Sequence, residues 1–82
     1  MVRPVEKIDR DLRKRIIALA RERGDCEEMV RHFEAQISMG NQGPAEIQNL
    51  LEDEHRYEHR IIEIIREMDE IHAERVRLGL AS

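Results

Sequence analysis

The segment EDEHRYEHR, residues 52–60, sets His55 and His59 four residues apart, with Glu52 three before His55. On a helix, side chains at these intervals share a face, so this carboxylate and two imidazoles form a donor set for a divalent transition metal. In CEEMVRH, Glu28 and His32 supply a second carboxylate and imidazole four apart. A structural zinc takes four ligands and an outer shell of hydrogen bonds, so Glu52, His55 and His59 alone leave the set open. Taking Ile47, Glu54 and Ile61 as the seam of helix 2, Glu52 and His59 fall on the outermost stripe and His55 on its shoulder, while Glu28 and His32 of helix 1 also point outwards. The site is therefore expected to close only across a contact between two copies of the chain. Nucleophilic catalysis has less to work with: the serines are Ser38 and Ser82, threonine is absent, and Cys26 is the sole cysteine. The GNQG stretch has no lysine after it, which rules out a phosphate-cradling loop of the nucleotide-binding type.

The elements that must position these groups are helices. Apolar residues recur at steps of three and four through Val5, Ile8, Leu12, Ile16 and Leu19, then Cys26, Val30, Phe33 and Ile37, interrupted only by Arg23. A second stripe runs through Ile47, Leu50, Tyr57, Ile61, Ile64, Met68, Ile71 and Leu78, interrupted by Glu54 and Arg75. Between them lies SMGNQGP, where Gly40 suits a left-handed helix end and Pro44 the first turn of a new helix, with Gly43 before it as a tolerated cap. The pattern predicts one domain over 1–82, with helix 1 at about 4–39, a loop at 40–43 and helix 2 at about 44–78. Gly24 lies inside helix 1, and the Asp25–Glu28 spacing resembles a capping box, yet the stripe crosses the glycine in phase and continuity is expected. The GLAS tail is expected to fray.

Folding the chain at residue 42 pairs positions whose numbers add to about 84, so Ile37 should meet Ile47, Phe33 should meet Leu50 or Leu51, and Val30 should meet Glu54. Arg23 and Glu54 occupy seam positions, where they either form an ion pair, with Glu58 also in reach, or snorkel outwards. On helix 2, Leu51, Ile62 and Ile65 widen the apolar face beyond what one partner helix covers. The fold class that follows is all-α: an antiparallel two-helix hairpin dimerising into a four-helix bundle. Its core and dimer seam is expected to use Ile16, Leu19, Val30, Phe33 and Ile37 from helix 1. Helix 2 is expected to add Ile47, Leu50, Tyr57, Ile61, Ile64, Ile65, Met68 and Ile71.

Charge suggests how the copies lie. Residues 1–23 carry eight basic and four acidic groups, residues 24–58 two and nine, and residues 59–82 four and five. The hairpin's terminal end is therefore basic and its loop end acidic, so antiparallel hairpins bring unlike ends together. The net charge of −4 disfavours general binding to nucleic-acid phosphates, and one tyrosine, one phenylalanine and no tryptophan leave no base-stacking platform. The longest apolar run, IIALA, is far too short for a membrane span, and a lone cysteine fits a reducing compartment, so a cytoplasmic location is expected.

Two resemblances bear on activity. EDEH resembles the Glu-x-x-His motif of ferritin-like carboxylate proteins, and of the two-helix encapsulated ferritins in particular. That resemblance implies a metal site across a subunit interface, with Glu52, His55 and a first-helix glutamate, Glu28 or its neighbour Glu27, as ligands. IIALARERGDCEEMV, residues 16–30, is similar to part of the first helix of all-helical chorismate mutases, with Glu22 and Arg23 matching that family's Glu-Arg pair. The family's other arginine and its lysine on this helix fall at Glu6 and Glu34, where the charge is reversed. The leading expectation is a non-catalytic interaction or regulatory protein without a cofactor, partnered by itself and by another protein. Its working surfaces are the acidic loop end and RDLRKR, where Arg10, Arg13, Lys14 and Arg15 can meet an acidic partner.

Overall fold

The computed structural model describes residues 4–80 of the chain. Two long helices, α1 (Pro4–Met39) and α2 (Pro44–Arg77), pack against each other as an antiparallel hairpin. No helix is long and apolar enough to cross a membrane among the described residues.

The loop is set by backbone chemistry at both of its ends. Gly40 adopts φ 70°, a left-handed conformation that costs an L side chain about 1 kcal/mol, and its N–H donates to the Ile37 carbonyl at 3.2 Å. Gly43 is extended at the start of α2 with no side-chain cap, and Pro44 follows where a missing N–H does no harm. α1 continues through Gly24 without a break.

At the far end, the chain differs from the fraying expected of GLAS. Gly79 has φ 75°, the Leu80 N–H donates to the Arg75 carbonyl at 2.8 Å, and the Gly79 N–H donates to Val76 at 3.0 Å. These bonds close a Schellman motif that satisfies the last carbonyls of α2. The remainder of that tail, Ala81 and Ser82, lies outside the described residues.

The core is thin. Leu19, Cys26, Ile64 and Ile71 are its buried side chains, and Leu12, Ile16, Tyr57, Ile61 and Met68 pack against them half-buried. Leu12, Leu19 and Cys26 are spaced by sevens, as are Tyr57, Ile64 and Ile71, a repeat that keeps the two stripes facing each other along a gentle left-handed supercoil. The radius of gyration is 18.2 Å, against about 12 Å for a compact globule of this length, and the hairpin measures 61 × 20 × 17 Å.

Pairing near the loop departs from the simple sum of 84. Phe33 stacks on Tyr57 with ring centroids 5.8 Å apart, and Glu34 lies beside Glu54. Helical side chains lean towards their own N-terminus, which is away from the loop on α1 and towards it on α2, so long side chains meet partners further along.

Candidate functional site

Two cross-helix contacts define the faces of the hairpin. On one side, the Arg60 guanidinium donates from Nε and Nη2 to the two carboxylate oxygens of Glu22, each at 2.8 Å. On the other, Arg75 Nε donates to Asp9 at 3.1 Å. Glu22 and Asp9 lie on opposite flanks of the Leu12–Leu19–Cys26 stripe, so each pair marks a different face.

The Glu22 face is polar. Arg60 also reaches Glu63 at 3.1 Å and Glu67 at 3.7 Å. The hydrogen bond from Arg60 holds the Glu22 carboxyl below the usual glutamate range, and the same bond raises the guanidinium's already high pKa. A groove of about 570 Å³ runs beside this pair, lined by Glu22, Asp25, Cys26, Phe33, Asp53, Arg56, Tyr57 and Arg60. The Cys26 thiol borders it as a free cysteine with 6% exposure. Burial pushes this thiol's pKa up and the Glu22 carboxylate adds to the shift, against a smaller opposing effect of Arg60. Cys26 is therefore held as an unreactive thiol.

The Asp9 face is apolar along its middle. Seven-residue spacing places Ile16, Val30 and Ile37 of α1 there in line with Asp9 and Arg23, and Ile47, Ile61 and Met68 of α2 in line with Glu54 and Arg75. All six apolar side chains are only half-buried. Leu51, Ile62 and Ile65, beside them, remain 40%, 57% and 38% exposed. Near the loop this face carries Glu34, Glu54 and Glu58, each with a carboxylate oxygen within 4.8 Å of the others. Partial burial, then the charges of Glu58 and Glu34, raise the pKa of Glu54. Three carboxylates at this spacing can accept one cation, whether a metal ion or a cationic side chain.

The residues singled out for metal chemistry lie elsewhere. Glu52, His55, His59 and Glu28 are all exposed. His59 Nδ1 sits 2.8 Å from Glu63, and His55 Nδ1 3.8 Å from Glu58, each on its own helix. Within one hairpin, the set Glu28, Glu52 and His55 does not converge, and Glu34, Glu54 and Glu58 are the metal-spaced group among the described residues. Arg23 does not pair with Glu54: its Nε donates to Glu27, one turn on, at 2.9 Å. Glu27 is the nearer partner, because residues four apart meet on one helix without bridging the pair. The two residues of the chorismate mutase resemblance are engaged elsewhere: Glu22 is held by Arg60 and Arg23 by Glu27, and Glu34 sits among carboxylates. The carboxylate cluster had a partial signal in the sequence: Glu54 interrupts the apolar stripe and Glu58 lies four residues on. Glu34, across the loop, had none.

Compared with models of known protein families, with curated proteins and with solved structures, the chain matches none.

Proposed function

We propose that the chain is a small non-catalytic binding protein, an adaptor or regulator of the cytoplasm, which works as a homodimer. Two hairpins lie antiparallel with their apolar faces together, giving a four-helix bundle. The observation that carries this reading is the exposed strip of Leu51, Ile62 and Ile65 beside a core of four buried side chains among the described residues. Such a strip costs free energy in water, and a second copy supplies the same strip in return, self-complementary about a two-fold axis. Antiparallel packing is favoured by the basic terminal end and acidic loop end.

In that arrangement the polar faces point outwards. The groove beside Glu22 and Arg60 then receives a partner protein, offering exposed Arg56 and Asp25 at its rim and the Phe33–Tyr57 stack at its base. The Arg-rich turn of α1 provides a second contact for acidic partners.

Sedimentation equilibrium tests the assembly. The expected mass is twice the 9.7 kDa of one chain. Ile65→Asp should shift it to one chain with helicity retained, whereas Arg56→Glu on the polar face should leave it unchanged. A wild-type chain that stays monomeric at about 100 µM contradicts the proposal.

A further inference from the structure

The apolar face is charged unlike at its two ends. Near the loop stand Glu34, Glu54 and Glu58, with no arginine or lysine within salt-bridge distance among the described residues. Near the termini, Asp9 accepts a hydrogen bond from Arg75 at 3.1 Å and forms an ion pair with Arg13 at 3.0 Å, leaving that group one positive charge in surplus. The Arg13 side chain is 63% exposed. It lies three heptads before Glu34, and His72 lies two heptads after Glu58, so both share the columns of the acidic cluster. The hairpin's own geometry keeps the two ends apart: Arg13 and Glu34 are separated by 21 residues, about 32 Å of helix.

A two-fold axis perpendicular to the helices closes that distance between copies. Placed near Arg23 on α1 and between Ile61 and Ile65 on α2, it falls within about a turn of the midpoint of each helix. The register that matches the charges is therefore also close to the one that overlaps the hairpins most completely. In it, Ile61 of each copy meets Ile65 of the other at the centre. Glu6, a further acidic residue on this stripe, falls opposite the partner's loop rather than its cluster.

We propose that Glu34, Glu54 and Glu58 of one hairpin form the docking site for Arg13, flanked by His72, of a second copy, and that this reciprocal pair of contacts sets the antiparallel register. The inference rests on the homodimer proposed above and deepens it. Within a single hairpin, the three carboxylates repel one another. In the dimer, each cluster gains a guanidinium, which suits carboxylate oxygens geometrically as well as by charge.

Charge exchange tests this with the full-length chain. Glu58→Lys and Arg13→Glu homodimers each contain two repulsive contacts and should dissociate about tenfold more readily than wild type. Mixed together, the two variants should form heterodimers well beyond the statistical share, because one contact is then native and the other reversed in both partners. Native mass spectrometry of a mass-tagged mixture reads this directly, and circular dichroism checks that each variant is helical. If Arg13→Glu proves poorly folded, Arg13→Gln against Glu58→Lys keeps the comparison, with a smaller heterodimer excess expected. Dimers that mix statistically and bind as tightly as wild type overturn the proposed contact while leaving the homodimer standing. A monomeric wild type overturns both.

Discussion

Arg60 of α2 grips Glu22 of α1 through both carboxylate oxygens, Nε to Oε1 and Nη2 to Oε2, each at 2.8 Å. It is the cross-helix clamp of the polar face. Because the bond to Arg60 lowers the folded-state pKa of Glu22, the clamp's contribution is complete above the usual glutamate value near 4.5 and is lost as pH falls through the lowered value. Thermal melts of wild type and Glu22→Gln should therefore differ at pH 7, wild type being more stable, and converge in acid. Equal melting temperatures at pH 7 would show the clamp to be solvent-screened and inert.

Glu54 carries the opposite sign. Its pKa is raised, so the folded hairpin holds that proton more tightly than the unfolded chain, gaining stability as pH falls through the raised value and losing it as pH rises. In the Ile65→Asp background, which the proposed dimer predicts to be monomeric, Glu54→Gln should raise the melting temperature at pH 7. The gain should fade in acid, where Glu54 is protonated. A loss of stability at pH 7 in that background would contradict the repulsive cluster.

Cys26 should react slowly. A buried thiol with a raised pKa presents little thiolate, so Ellman's reagent should label the folded protein at least 100-fold more slowly than the urea-unfolded chain. Labelling at the unfolded rate would mean that the groove opens readily to solvent.

The glycines separate by backbone conformation. Gly24 is helical and exposed, and a Cβ there meets nothing within 4 Å, so Gly24→Ala should stabilise by about 0.5–1 kcal/mol. Gly40 has φ 70°, and Gly40→Ala should destabilise by about 1 kcal/mol despite equally open space around it. Urea denaturation of the two variants reads both signs at once.

The hairpin was legible because its signals are local and repeated. Sevenfold spacing of Leu12, Leu19 and Cys26 and of Tyr57, Ile64 and Ile71 gives each helix one buried stripe, and Gly40 and Pro44 mark where the chain turns. The exposed strip of Leu51, Ile62 and Ile65 was visible for the same reason. Cross-helix detail was less accessible. The Glu22–Arg60 clamp and the Glu34–Glu54–Glu58 cluster depend on flank positions of two helices brought together by the loop, where side-chain lean shifts partners by as much as a turn. The Schellman closure at Gly79 was hidden because a glycine near a chain end serves equally in a cap or a frayed tail. The outward direction of Glu52, His55 and His59 was legible too, because their phase against the Ile47–Ile61 stripe sets them away from the seam, and all three are exposed.

The antiparallel dimer is tested most directly by the distance between the two loops. In a Cys26→Ser background, Asn41→Cys places one spin label at each loop, and double electron–electron resonance measures the separation. Antiparallel packing puts the loops at opposite ends of the bundle, with an expected label distance near the 61 Å length of the hairpin. A distance within about 20 Å would mean parallel hairpins, and the absence of any intermolecular distance would mean no dimer. Either result would contradict the antiparallel dimer.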